Sequence, residues 1–318
     1  MKILITDYDF PDVELERALY RDAGVEVVTA QCRTEDEVIA AAKGCQGLLV
    51  QYAPINGKVF AARPEIRIAS RYGAGFDTIN TADAKQHNVW VGNSPDYGVG
   101  EVATHALAMA LAMLRNIAAY DRDVKQGVWH YTSAGKIQRA SDMTLGIVGL
   151  GRIGKRMAHI SRNVFRRVVA YDPHIIDGDF PAYVERVGKE ELFRQSDVVS
   201  LHTPLNDETR GMIDASALGL MKPGSYLVNT ARGGLVEIGD LLQALETRLQ
   251  GAALDVLPTE PPAADAAIIR HRRVLLSPHS AFYSEVAASE LRRKAAQNLI
   301  DWHRTGRPSY VVVAAQQS

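Results

Sequence analysis

Arg232, Glu260 and His279 are residues whose types, taken together, make a proton-transfer site for a small anionic substrate. A guanidinium is a planar fork of five donors that matches a carboxylate and the carbonyl beside it. An imidazole can give and take a proton near neutral pH. A carboxylate within reach of that imidazole orients it and stabilises its protonated form. Taken singly, each has a plainer reading: a loop arginine, an acid in a proline-rich loop, a histidine at a strand end. A fourth motif turns them into a set. Gly149-Leu150-Gly151-Arg152-Ile153-Gly154 follows an apolar run, and Asp172 stands eighteen residues beyond its last glycine.

Each part of that motif has a job in holding a dinucleotide. Gly149 permits the tight turn, Gly151 lets the backbone approach a pyrophosphate, and Gly154 lets the helix sit close to its strand. The helix then presents free N–H groups and a partial positive charge to the phosphates. Asp172 can accept both ribose hydroxyls and repels a 2′-phosphate, which selects NAD over NADP. With a nicotinamide present to carry hydride, Arg232 holds and polarises a 2-oxoacid, His279 exchanges the hydroxyl proton, and Glu260 orients His279 and raises its pKa.

These groups need a scaffold that aims them at one edge. Short apolar runs alternate with helical patterns along the whole chain, the signature of parallel sheets with crossover helices. Strands are predicted at 2–6, 25–29, 47–50, 66–70 and 89–92, then at 144–149, 168–172, 198–202, 226–230, 252–256 and 274–277. Arg232, Glu260 and His279 each follow one of the later strands, on the carboxyl edge where open α/β sheets bind ligands. A single long helix is predicted over 100–126, and another over 284–304 that has no strand to feed. The fold class is therefore α/β with two Rossmann-like domains. Residues 1–98 and 284–318 form a discontinuous, flavodoxin-like substrate domain, and residues 99–283 an inserted, doubly wound NAD-binding domain.

Composition narrows the partners. The 318 residues are 47% hydrophobic and 23% charged, with a formal net charge of −1. That balance suits a globular protein and gives no electrostatic case for nucleic acid or a membrane surface. Cys32 and Cys45 have no CxxC or histidine-rich neighbourhood, so neither a metal site nor a disulfide framework is expected, and a reducing cytoplasm fits. The N-terminus reads as a short strand that turns acidic at Asp7, and the apolar run over 106–114 is too short to span a bilayer.

The chain resembles the D-isomer-specific 2-hydroxyacid dehydrogenases over nearly its whole length. The resemblance rests on the glycine motif, on Asn229-Thr230-Ala231-Arg232-Gly233-Gly234-Leu235-Val236, on Gly251 through Val256 with Glu260-Pro261, and on Ser277-Pro278-His279. It implies that Arg232, Glu260 and His279 are the catalytic set and that Asp255 contacts the nicotinamide. Further cofactor contacts would fall on Arg152, Ile153, Asp172, Thr203 and Thr230. Arg71-Tyr72-Gly73-Ala74-Gly75-Phe76-Asp77 matches the segment whose backbone N–H groups bind the substrate carboxylate, with Arg71 adding charge; the alternative is a plain glycine turn. Tyr52 and the Asp7-Tyr8-Asp9-Phe10 loop are candidates to shape the specificity pocket. Ser280 to Glu285 looks like the branch containing the C-terminal-binding corepressors, although that branch often has tryptophan where this chain has Phe282.

A homodimer is implied by the same resemblance. The aromatic-rich stretch 116–138, with Tyr120, Val128, Trp129 and Tyr131, offers a surface for it or else a local core. The leading reading is an NAD-dependent D-2-hydroxyacid dehydrogenase acting on a small 2-oxo or 2-hydroxy acid. The alternatives are an NAD(H)-sensing, corepressor-like binding module and a phosphoglycerate dehydrogenase.

Overall fold

The computed structural model describes residues 1–316 and divides into two compact units, Met1–Gly98 with the segment from Ser284 onward, and Val99–Tyr283. The first begins with β1 (Lys2–Ile5), α1 (Glu14–Asp22), β2 (Glu26–Thr29), α2 (Glu35–Ala41), β3 (Gly47–Val50), α3 (Gly57–Ala62), β4 (Ile68–Arg71), α4 (Thr81–Gln86) and β5 (Trp90–Gly92). The second holds α5 (Val99–Leu114), α6 (Ile117–Lys125), β6 (Thr144–Val148), α7 (Arg152–Ser161), β7 (Arg167–Tyr171), β8 (Glu185–Arg186), α8 (Lys189–Gln195), β9 (Val198–Leu201), α9 (Ala215–Leu220), β10 (Tyr226–Asn229), α10 (Ile238–Thr247), β11 (Gly251–Leu254), α11 (Ala267–Arg270) and β12 (Val274–Leu276). The chain then returns to the first unit with α12 (Glu285–Thr305) and β13 (Val311–Val313).

The first sheet has the order β13-β5-β4-β3-β1-β2. Its five parallel strands follow the flavodoxin-like order, and β13 adds an antiparallel edge on β5. Helix α12 is set by its own signals. The Ser284 side chain accepts the Ala287 N–H at 3.0 Å at its start, and Gly306 closes its end in the left-handed region. Buried Asn298 on this helix donates to Ser70 Oγ at 3.1 Å and to the Asn93 carbonyl at 2.9 Å, and accepts the Tyr310 N–H at 3.0 Å. One side chain thus ties β4, the end of β5 and the approach to β13 together.

The second sheet runs β12-β11-β10-β9-β6-β7-β8, all parallel. The chain order reverses between β6 and β9, which is where a doubly wound sheet opens its ligand crevice. Both faces are covered, so the strands are apolar on both sides. Leu145 and Ile147 of β6 pack with Ala106, Met109 and Ala110 of α5 and Met157 of α7. Val148, Val199, Leu201 and Leu227 pack on the other face with Leu192, Leu218, Leu241 and Leu245 of α8, α9 and α10.

The long helix predicted over 100–126 is two helices bent by 57°. Asn116 lies between them at φ 51°, a left-handed conformation that asparagine tolerates, and its side-chain amide donates to the Ala134 carbonyl at 2.7 Å. The apolar spacing continues through Ile117, so periodicity alone carries no sign of the break. Strands β8 and β13 were not expected: β8 is two exposed polar residues, and β13 is a three-valine run after Pro308. Among the described residues no single helix is long and apolar enough to cross a membrane.

Candidate active site

The crevice of the second unit is built from the end of β6. Gly149 has φ 91°, and a Cβ there would lie 2.6 Å from the His202 carbonyl oxygen and 2.9 Å from the Thr203 nitrogen. A Cβ on Gly154 would lie 2.1 Å from the Gly149 carbonyl oxygen. The glycine loop is therefore pressed between the loop after β9 and its own helix, and no side chain fits at either place. Gly151 differs, because a Cβ there meets nothing within 4 Å. Among the described residues no side chain caps α7, so the first-turn N–H groups at Arg152 and Ile153 remain for a ligand.

Asp172 follows β7 on the same edge. Its Oδ2 accepts the Leu150 N–H at 2.8 Å and its Oδ1 the His174 N–H at 2.9 Å, which sets the acid beside the glycine loop with acceptor capacity remaining. Thr230, just past β10, holds a buried hydroxyl with no hydrogen-bond partner among the described residues. An orphaned buried hydroxyl is costly unless a ligand completes it. Backbone that excludes two Cβ atoms, an open face at Gly151, a bare helix start, Asp172 and the waiting Thr230 hydroxyl together fit a dinucleotide. His202 Nε2 pairs with Ser200 Oγ at 2.9 Å, and burial pulls its pKa down to about 4. It is a neutral wall behind the glycine loop at physiological pH.

The three candidate catalytic residues follow β10, β11 and β12, which are neighbours in the sheet. Buried Asn229 accepts the Ala231 N–H at 3.0 Å and donates to the Arg232 carbonyl at 2.9 Å, which folds the turn that aims Arg232. A Cβ on Gly233 would lie 2.0 Å from the Leu257 carbonyl carbon, so glycine is required for the β10 and β11 loops to close together. His279 Nδ1 and Glu260 Oε2 are 2.6 Å apart, and Glu260 Oε1 accepts the Leu257 N–H at 2.8 Å. Burial pushes the Glu260 carboxyl up, but the His279 hydrogen bond and charge, the Leu257 N–H and the Arg232 charge outweigh it, and the carboxyl is held below its ordinary value. Arg232, Glu260 and His279 thus share one electrostatic neighbourhood. Phe282 stands edge-on to the His279 ring, with centroids 6.5 Å apart.

Asp255 is buried at the end of β11, and most of its bonding capacity is spent on the loop that carries His279. Its Oδ1 accepts Ser277 Oγ–H at 2.5 Å and the Ser280 N–H at 2.9 Å, and its Oδ2 accepts the Ala281 N–H at 2.9 Å. His105 Nε2 on α5 lies 2.9 Å from Ser277 Oγ. No local signal in α5 marks a partner for His105 so distant in the chain. Asn229 and Ser277 were quoted as motif residues, but only the fold shows what they hold.

In the first unit, the Arg71–Gly75 segment leaves β4 at the carboxyl edge. Gly73 has φ 149°, and a Cβ there would lie 1.4 Å from Arg71 Nη1, so the guanidinium is folded over that glycine. The Gly73 N–H is used by the Arg71 carbonyl at 3.0 Å. Asn93 Nδ2 holds the Ala74 carbonyl at 2.7 Å, while the Ala74 and Gly75 N–H groups have no acceptor among the described residues. Tyr72 is buried, and its hydroxyl donates to Glu16 Oε1 at 2.9 Å. Fully buried Glu16 also accepts from Arg292 Nε at 2.8 Å and Nη2 at 2.6 Å.

Comparison with known proteins gives a consistent picture. The profile for the D-isomer specific 2-hydroxyacid dehydrogenase NAD binding domain matches residues 107–281. A glyoxylate reductase of Korarchaeum cryptofilum is 36% identical over 282 residues, covering 86% of this chain and 85% of that protein. A D-3-phosphoglycerate dehydrogenase of Sus scrofa is 32% identical across 99% of this chain, which spans 58% of that protein. Among solved structures, the NAD-dependent formate dehydrogenase of Staphylococcus aureus in complex with NAD is 26% identical with a TM-score of 0.89, over 99% of this chain and 100% of that one.

Proposed function

The chain belongs to the D-isomer-specific 2-hydroxyacid dehydrogenase family, and from that premise we propose that it interconverts a small 2-oxoacid and its D-2-hydroxy acid with Arg232, Glu260 and His279 as its catalytic set. NAD, when bound, supplies or takes up the hydride. Gly149, Gly151, Arg152, Ile153 and Gly154 hold its pyrophosphate, Asp172 its ribose, and Thr203, Thr230 and Asp255 its nicotinamide end. Arg232 holds the oxygen at C2. With Nδ1 committed to Glu260, His279 uses Nε2 to give that oxygen its proton during reduction and to take it back during oxidation. Ala74 and Gly75, flanked by Arg71, Tyr72 and Gly73, bind the carboxylate, which gives the first unit the substrate role and the second the NAD role.

The observation that carries this reading is the 2.6 Å pair between His279 and Glu260 within the field of Arg232. The test follows NADH loss with glyoxylate, pyruvate, hydroxypyruvate, 3-phosphohydroxypyruvate and branched 2-oxoacids, using His279→Ala as control. Turnover abolished in the variant supports the reading. Full turnover in His279→Ala overturns it. Best activity on the phosphorylated acid would mark a phosphoglycerate dehydrogenase. NADH binding without turnover, joined to NADH-dependent association with a protein, would favour the sensing module that the likeness of Ser280–Glu285 to the corepressor branch suggests.

A homodimer is part of this proposal. Trp129 is 85% exposed and Tyr131 82% exposed, with Val128 and Ile117 exposed beside them, which favours a surface over a local core. Sedimentation of wild type against Trp129→Glu checks it, and a monomeric wild type rejects it. Two buried free cysteines, both with thiols pushed up by burial, suit the cytoplasmic location proposed.

A further inference from the structure

The carboxyl edge of the first sheet carries a polar chain that proton transfer at His279 does not use. Asp7, buried just after β1, accepts Thr6 Oγ–H at 2.7 Å and the Gln51 N–H at 3.1 Å on Oδ1, and the Tyr52 N–H at 2.6 Å on Oδ2. These bonds fix the loop that leaves β3. Buried Gln51 then grips Asp9, accepting its N–H at 2.9 Å and donating from Nε2 to its Oδ1. The Tyr52 hydroxyl donates to Asp9 Oδ2 at 3.2 Å. Tyr52 remains a donor at neutral pH, because burial and the Asp9 charge push its phenol up to about 12 against the opposing pull of Arg71.

Asp9 is therefore an exposed carboxylate in a fixed orientation. Each oxygen has one side-chain donor and keeps acceptor capacity. The sheet order β1-β3-β4 puts this loop, the Tyr52 loop and the Arg71–Gly75 loop side by side. Phe10, next to Asp9, meets the Tyr72 ring edge-on at 5.3 Å, and Arg292 lies 5.0 Å from the Phe10 ring centroid. Phe10 and Tyr72 thus share the frame of the Glu16–Arg292 pair. A ligand whose carboxylate rests on Ala74 and Gly75 has Asp9 as a fixed acceptor on one side. The Arg71 guanidinium lies over Gly73, and its charge is felt at Tyr52.

We infer that Asp9, held by Gln51 and Tyr52, is a specificity-determining residue that selects 2-oxoacids whose C3 group carries a hydrogen-bond donor, a hydroxyl or an ammonium, over apolar and phosphorylated ones. This rests on the reading that the Arg71–Gly75 loop takes the substrate carboxylate. A donor at C3 replaces the water that Asp9 gives up. An alkyl group of the same size displaces that water without replacing its hydrogen bond, the asymmetry by which polar sites discriminate. A phosphate at that position meets a like charge.

The test compares kcat/KM for hydroxypyruvate with that for 2-oxobutyrate, which has the same shape but no hydroxyl, in wild type, Asp9→Asn, Asp9→Ala and Tyr52→Phe. Using a ratio within each enzyme cancels differences in folded fraction, and Asp9→Asn keeps the side-chain shape. Wild type is expected to favour hydroxypyruvate by about tenfold or more, both Asp9 variants to bring the ratio within about twofold of unity, and Tyr52→Phe to lower it by about threefold. A wild-type ratio near unity, a ratio unchanged in the Asp9 variants, or a preference for 3-phosphohydroxypyruvate overturns the inference while leaving the dehydrogenase reading intact. No turnover of any 2-oxoacid overturns both.

Discussion

The His279 N–H donates to the Asp255 carbonyl at 2.7 Å, and the Asp255 carboxylate collects the N–H groups of the next two residues, Ser280 and Ala281. His279 has φ 53°, a conformation that a residue with a Cβ holds only when its surroundings impose it. Asp255 imposes it. The acid is 2% exposed and is satisfied by three local donors.

Asp255→Ala should therefore act on the imidazole as well as on the fold. It leaves the buried Ala281 N–H and the part-buried Ser280 N–H without their acceptor, at up to about 1–3 kcal/mol each before relaxation, and takes one partner from the Ser277 hydroxyl. We expect a loss of stability of a few kcal/mol, read by chemical denaturation. We also expect kcat to fall by more than tenfold at a temperature where the variant is folded. A folded variant with normal kcat would show that the loop holds His279 without this anchor.

Glu260 supplies a pH prediction. Its carboxyl is held below its ordinary value of 4.5, burial being outweighed by His279, Leu257 and Arg232, so it is charged at neutral pH. Glu260→Gln removes the carboxylate that orients the imidazole and should cut kcat by about 10–100-fold. A folded-state pKa below the unfolded one stabilises the protein above about pH 4.5, and the benefit disappears as pH falls through the lower value. The variant should accordingly show a flatter loss of stability in acid, read from denaturation midpoints between pH 3 and 6.

The sheets and the dinucleotide loop were legible in the sequence because their signals are local. Runs such as Ile147-Val148-Gly149 and Val168-Val169-Ala170 announce buried parallel strands, and the glycines announce close backbone approach. The ends of β10, β11 and β12 could be placed on one edge because parallel strands all point the same way. What remained hidden depends on side chains far apart in the chain. His105 meets Ser277 across 172 positions, and Arg292 meets Glu16 across 276. Neither position carries a local pattern that requires its partner. Asn116 hides its break for the opposite reason, since the apolar stripe runs on through it.

The proposed role of Asp172 is to select between the two nicotinamide cofactors. Its oxygens accept the Leu150 and His174 N–H groups, which fixes the acid beside the glycine loop with acceptor capacity remaining. Asp172→Ala removes the hydroxyl acceptor and the repulsion of a 2′-phosphate together. The ratio of kcat/KM for NADPH over NADH should rise by about tenfold or more, measured with one 2-oxoacid at fixed ionic strength. An unchanged ratio would move the selectivity to another residue.

His202 predicts how the NAD unit responds to acid. Its pKa is lowered from 6.5 to about 4 by burial behind the glycine loop. Between those values the unfolded chain binds a proton that the folded protein refuses, so stability falls as pH drops from about 6.5 toward 4. The shift corresponds to about 3 kcal/mol at its full extent. His202→Asn keeps a polar partner for Ser200 without a titrating ring. Its stability, measured by denaturant titration at a series of pH values, should decline less steeply than wild type across this window. Parallel slopes for the two proteins would mean that the ring takes up its proton without unfolding, and that the wall behind Gly149 is open to solvent.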